Sequence, residues 1–127
     1  MPQGYDEAMP VLVSGIVRWR SEFRCFIRER ALQRFSIYSR AGELQKDADF
    51  ACAEDERAGA HAFVQQLLGD KRVELPAATV VDVGVIEGQG WAMVEQNAAW
   101  GAGLYGCDPF AALETLARAC VKRIPRV

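Results

Sequence analysis

Residues 79–109 read TVVDVGVIEGQGWAMVEQNAAWGAGLYGCDP, and in them Asp82 interrupts a valine run while VEQN follows a glycine-punctuated turn. The turn EGQG between two β-prone runs predicts a hairpin with strands over about 78–86 and 91–96. With Gly88 and Gln89 at its tip, Ile86 faces Trp91, Val83 faces Val94 and Asp82 faces Glu95. Alternation then puts Glu95 and Asn97 on one face, and Val81, Val83 and Val85 on the other with Ala92 and Val94. Two carboxylates opposed across a ladder repel, and burial raises one pKa unless a cation lies between them. Two carboxylates and an amide oxygen are hard donors that suit Mg²⁺. The plainer alternative, an edge aspartate followed by a strand running into a loop, stays open on this pattern alone.

Working outward, residues 1–10 form a polar leader with two prolines, and VLVSGIV at 11–17 has the length and apolarity of a largely buried strand. EFRCFIRE (22–29) alternates, with Phe23, Cys25 and Ile27 on one face and Glu22, Arg24, Phe26 and Arg28 on the other. LQRFSIYS (32–39) follows closely, which suggests an antiparallel hairpin. From Ala53 to Asp70 the period becomes helical: Ala60, Phe63, Val64, Leu67 and Leu68 recur on one face, acids crowd the first turn and Gly69 sits near the end. Asp108 as N-cap and Pro109 at the first helical position open a last helix, whose apolar stripe reads Phe110, Leu113, Ala117 and Cys120. The expected class is α+β, a mainly antiparallel sheet with helices packed on one face.

Composition narrows the function classes. A chain of 127 residues, half of them apolar, suffices for one domain. Fifteen basic against seventeen acidic residues leave a net charge of -2, so no global basic field attracts nucleic acid or an anionic membrane. The run VRWRSEFRCFIRERALQR carries six arginines among aromatics, yet Glu22 and Glu29 lie within it. It reads as a solvated sheet face with one phosphate-binding arginine rather than an RNA surface. Cys25, Cys52, Cys107 and Cys120 are widely spaced and His61 is the single histidine, which fits reduced thiols and no zinc site. No apolar stretch reaches the roughly 18 residues of a membrane span, and the acidic N-terminus is unlike a signal peptide; a cytoplasmic location is the expectation. His61 reads as a surface or structural histidine, and Trp19, Trp91 and Trp100 as packing residues. GAGLYG lacks the Gly-Lys-Ser/Thr ending of a phosphate loop and reads as a glycine-rich turn near the cleft.

The strand aspartate, the hairpin, the E-x-N of Glu95-Gln96-Asn97 and the following NAAWGAGLYGCDP together resemble the C-terminal part of an ATP-grasp domain, closest to the clade named for two arginines and a lysine. The resemblance implies ATP and Mg²⁺ as cofactors, with Asp82, Glu95 and Asn97 holding magnesium against the nucleotide phosphates. VLVSGIVRWRSEFRCFI resembles the strand, hinge and strand that grip adenosine. By that likeness the backbone at Gly15, Ile16 and Val17 meets the adenine edge, Glu22 accepts from the ribose hydroxyls, and Arg24 reaches the phosphates as the catalytic cation.

The chain departs from the family pattern at Ser14, where an acid or amide is common, and at Val80, where many members carry an arginine; Arg40 is the remaining candidate for a second phosphate contact. The implied chemistry is carboxylate–amine ligation through an acyl phosphate. Residues 11–127 would be the C-terminal subdomain alone, without the N-terminal ATP-grasp subdomain and inactive by itself. The missing half, or a second copy, is then the expected protein partner. A non-catalytic interaction or dimerisation module derived from the same fold is the alternative.

Overall fold

The computed structural model describes residues 6–120. The first five residues of the leader, and residues 121–127 at the end of the expected subdomain, lie outside the described residues. Five strands, β1 (Trp19–Arg28), β2 (Ala31–Arg40), β3 (Glu43–Leu44), β4 (Ala78–Ile86) and β5 (Gly90–Asn97), form one antiparallel sheet in the order β3-β2-β1-β4-β5. Helices α1 (Glu54–Gly69) and α2 (Pro109–Ala119) complete an α+β fold.

Alternation along β1 sorts the molecule into two cores. Phe23, Cys25 and Ile27 meet Phe35 and Ile37 of β2, Val81 and Val83 of β4, and Ala60, Val64 and Leu68 of α1. On the opposite face Phe26 and Val80 pack with Ala99, Cys107 and Ala112 of α2. The helices therefore lie on opposite sides of the sheet rather than on one face. The interior strand β4, between β1 and β5, is buried on both faces from Ala78 to Gly84.

Helix α1 follows the periodicity expected of it. Glu54, Asp55 and Glu56 complement the positive end of the helix dipole, and the Glu56 carboxylate accepts from the Ala53 N–H (3.3 Å). At the other end Arg30 donates to the carbonyls of Leu68 (3.1 Å) and Asp70 (2.8 Å), supplying hydrogen bonds that the last turn lacks. Arg30 and Glu29 form the β1–β2 turn with left-handed backbone, φ 61° and 49°. Two non-glycine residues in that region are strained, and the Arg30 contacts offset the strain.

Two further expectations need correction. Residues 11–17 form no strand: they pair with nothing among the described residues, Leu12 and Ile16 are fully exposed, and the sheet opens at Trp19 instead. Apolarity gives strand propensity but not a partner edge, and the edges of β1 are already taken by β2 and β4. In α2, Asp108 does cap the helix, its carboxylate accepting from the Phe110 N–H (3.0 Å), with Pro109 first inside it. The buried side of α2 is Ala112 and Thr115, flanked by Leu116 and Ala119, whereas Phe110 and Leu113 are 79% and 62% exposed. The helix lies directly over Phe26 and Val80, and small side chains permit that approach.

The hairpin reaches its expected pairing by an unexpected route. Ile86 faces Gly90 across a three-residue loop, so Val85 faces Trp91 and Val83 faces Met93, each one place from expectation. A bulge at Val94 then shifts the ladder by one, and Asp82 faces Glu95 after all. Trp91, rather than Ala92, consequently joins the α1 core, against Phe23 and Phe63. Gly59 of α1 meets the Trp91 ring so closely that a Cβ there would lie 2.9 Å from it.

Arg40 ties β2 to α1 through a two-pronged bond to Glu56 (2.7 and 3.0 Å), which holds the Glu56 carboxyl below its ordinary value of 4.5. A depressed folded pKa means that the unfolded chain binds more protons, so this contribution is complete above about pH 4.5 and is lost as pH falls through the folded value. Thermal denaturation between pH 3 and 7 should show Glu56→Gln less stable than wild type by about 0.2–1 kcal/mol near neutrality, with the gap closing in acid.

Candidate functional site

Alternation and register line up four polar side chains in one row across four strands. Ser36 of β2 pairs with Arg24 of β1, Arg24 with Asp82 of β4, and Asp82 with Glu95 of β5. All lie on the α2 side of the sheet, above Phe26 and Val80 and below Glu22 and Gly84 in their strands. Asp82 has no solvent exposure and Arg24 has 7%.

The centre of the row is a bidentate ion pair. Arg24 Nε donates to Asp82 Oδ1 (3.0 Å) and Nη2 to Oδ2 (2.8 Å), while Nη1 donates to the Gly103 carbonyl (3.3 Å). The guanidinium carbon sits 4.6 Å from the centre of the Tyr105 ring and 5.2 Å from that of Tyr38. The two rings stack on each other at 5.3 Å and 25°. The Tyr38 hydroxyl donates to Glu22 (3.2 Å), so an unbroken series of contacts runs from Glu22 through both tyrosines and Arg24 to Asp82.

Burial sets the electrostatics. It pushes the Asp82 carboxyl above its ordinary value; Arg24 pulls it back without cancelling the rise, and Glu95 across the ladder adds to it. Burial also works against the Arg24 charge, but the Asp82 partner more than offsets this and holds the guanidinium more firmly protonated than usual. Tyr38 is held far above the ordinary phenol range by burial first, then by Asp82 and Glu22. None of these groups is poised near neutrality as a general base; the site offers fixed charge and hydrogen bonds.

The structure gathers Glu22, Arg24, Asp82, Glu95 and Asn97 on one side of the sheet. Asn97 faces Val80, and its carbonyl accepts from Thr79 Oγ1 (3.1 Å). Glu95 is exposed. Gly15, Ile16 and Val17 stand apart in the unpaired segment, although Val17 shares an open groove of about 920 Å³ with Glu22, Arg40 and Trp91. Asp82 and Glu95 do not line that groove. Arg40 is engaged with Glu56. Trp100 is 76% exposed rather than packed.

Among the described residues no three His, Cys, Asp or Glu side chains cluster as a metal site. Asp82, Glu95 and Asn97 supply hard oxygen donors along one side of the β4–β5 ladder, and their chemistry fits Mg²⁺. Both Asp82 oxygens accept from Arg24 and the carboxylate has no solvent exposure, so its remaining lone pairs reach a cation only if the cover over the pair opens.

Sequence reasoning overlooked Tyr38 and Ser36, and it read Tyr105 only as part of the GAGLYG turn near the cleft. Continuing the β2 alternation past Phe35 and Ile37 assigns Ser36 and Tyr38 to the Arg24 face, so that signal was present. Tyr105 comes from an irregular loop, and nothing in GAGLYG announces its placement. Three of the other five arginines of the aromatic run serve structure: Arg30 at the end of α1, Arg28 facing Glu114 (3.6 Å) and Arg34 facing Asp108 (3.9 Å).

Removing one member of a buried pair strands the other charge. Arg24→Met should destabilise the fold by about 3–5 kcal/mol at pH 7. The stranded Asp82 has a raised folded pKa, so the penalty exists above that value and is relieved as pH falls toward 3.8. Urea titrations at several pH values should show the gap to wild type narrowing in acid, and Arg24→Met/Asp82→Val recovering most of the loss at pH 7.

No curated protein and no solved structure matches the chain. A family model described as an ATP-grasp domain, family 2 of the clade named for two arginines and a lysine, matches residues 1–115. That match spans the unpaired segment, the whole sheet, the acidic row and most of α2, and the antiparallel sheet with its E-x-N hairpin agrees with it. The chain belongs to the ATP-grasp domains, in the second family of the two-arginine, one-lysine clade.

Proposed function

We propose that this chain forms the ATP- and magnesium-binding wall of an ATP-grasp ligase that joins a carboxylate to an amine through an acyl phosphate, and that it requires a complementary half to turn over. The observation that carries the reading is the row Arg24–Asp82–Glu95. An arginine and two carboxylates placed side by side across a sheet are poor for stability and good for handling a metal-bound polyphosphate. Glu95 and Asn97 would hold the cation with Asp82, Arg24 would supply positive charge to the phosphates, and Glu22 would accept from the ribose. When bound, the cation supplies charge neutralisation at the phosphates. The groove shared by Val17 and Glu22 offers room for the nucleoside.

Mg-ATP at about ten times its dissociation constant should stabilise the chain by about 1.4 kcal/mol, a rise of about 4–8 °C in melting temperature. Glu95→Gln, an exposed substitution that leaves the Arg24–Asp82 pair in place, should abolish the rise. No shift with wild type at millimolar Mg-ATP would sink nucleotide binding by this chain.

Exposed apolar side chains favour a second reading, a non-catalytic module that docks a partner or a second copy. Leu12, Ile16, Trp100, Phe110 and Leu113 are all largely exposed, and surfaces of that kind usually become interfaces. On this reading sedimentation velocity should detect concentration-dependent association that Phe110→Glu/Leu113→Glu removes; a strict monomer at about 100 μM would count against self-association.

A further inference from the structure

Between β5 and α2 the chain forms no regular element beyond a single turn at Ala99–Gly101, yet together with Tyr38 of β2 it covers Arg24 where that side chain meets Asp82. Gly103 gives its carbonyl to Arg24, and Tyr105 gives its ring to Arg24 and Tyr38. The Tyr105 carbonyl accepts from Ser36, the outermost side chain of the polar row on β2. Cys107 is buried beneath the segment, its thiol 3.4 Å from Ser36 Oγ.

This closure is local and carries strain. Tyr105 has φ 46° and Gly106 φ 82°, and Phe50 packs so tightly on Gly106 that a Cβ there would lie 2.6 Å from it. A bulky aromatic residue in left-handed backbone persists only where its surroundings hold it. Here the ring is held by Arg24, Tyr38 and Phe50. Ala99 and Cys107 anchor its two ends in the α2-side core, and between them the segment is thinly held: Trp100 is 76% and Leu104 40% exposed, Gly101 and Gly103 are exposed too, and Ala102 alone packs on that core. Few buried apolar contacts mark a segment able to open without the rest of the fold.

We propose that residues 100–106 are a self-closing lid, with Tyr105 as the latch, which keeps Arg24 engaged with Asp82 until a ligand displaces it. Closed, the lid takes Arg24 Nη1 through the Gly103 carbonyl while Asp82 takes Nε and Nη2, so the guanidinium that the nucleotide reading turns toward phosphate is held on three of its bonds and Asp82 stays covered. The lid's existence rests on the contacts above; what it regulates rests on the nucleotide reading.

Two buried thiols on opposite faces allow the test. In a Cys52→Ser/Cys120→Ser background, Cys107 lies under the lid and Cys25 lies in the α1 core. Native-state alkylation by iodoacetamide, read by peptide mass spectrometry, should label Cys107 faster than Cys25. Tyr105→Ala should raise the Cys107 rate by about tenfold with Cys25 unchanged, and Tyr105→Phe, which keeps the ring, should not. Equal labelling of the two thiols in the parent, or rates that rise together in Tyr105→Ala, would make the segment part of the global fold and overturn the lid. The parent comparison decides the matter even if Tyr105→Ala does not fold. Mg-ATP should speed Cys107 labelling in the parent and bind about tenfold tighter to Tyr105→Ala. Mg-ATP without effect on either protein would defeat the nucleotide reading, while the thiol rates alone would still uphold the lid.

Discussion

The bond between Arg24 and Asp82 is the constraint around which the rest of the molecule is arranged. An ionised carboxylate with no solvent exposure is tolerable only beside a matched cation, and a guanidinium meets both of its oxygens at once. That requirement keeps β1, the middle strand of the sheet, in register with β4 and leaves one guanidinium nitrogen, Nη1, to meet the Gly103 carbonyl. The tyrosine pair then shields the guanidinium from water, and shielding makes the ion pair stronger and its disruption more costly. Fold and site share the same atoms, so neither can be altered without the other.

Such an arrangement stores opposite charges against each other. A site intended for a doubly charged cation and a polyanion would repel itself if each group stood alone: Asp82 beside Glu95 is unfavourable, and a lone buried Arg24 equally so. Pairing the arginine with one carboxylate leaves the row a single formal negative charge, on the exposed Glu95, while nothing is bound. On the proposed nucleotide reading, ligand entry would be an exchange of partners, with Arg24 turning from carboxylate to phosphate and Asp82 from guanidinium to metal.

Much of the fold could be read from residue order because alternation and helical period are local. Phe23, Cys25 and Ile27 declared the α1 face; Ala60, Val64 and Leu68 declared the helix that covers it; Asp108 and Pro109 declared the start of α2. What failed depended on neighbours. VLVSGIV has the composition of a strand but no ladder to join among the described residues, and α2 shows Phe110 and Leu113 to solvent because the smaller Ala112 and Thr115 form its buried side. The carboxylate pair was legible and the grip of Arg24 upon it was not, because the β1–β4 register links residues 58 positions apart and passes through no short turn. Tyr105 was less legible still, since its position depends on a loop conformation that no periodicity encodes.

The bulge at Val94 separates the β4–β5 hairpin into two mechanical parts. Near the turn, pairing is governed by the three-residue loop and by the seating of Trp91 against Gly59. At the far end it is governed by β4 and by Thr79, which bonds to both Gln96 and Asn97. The extra residue absorbs the mismatch between these two sets of demands, so adjustments in the loop need not travel down the strand. Glu95 thus owes its place beside Asp82 to a joint in the middle of the ladder, and the acidic end of the hairpin can keep its alignment while the greasy end yields.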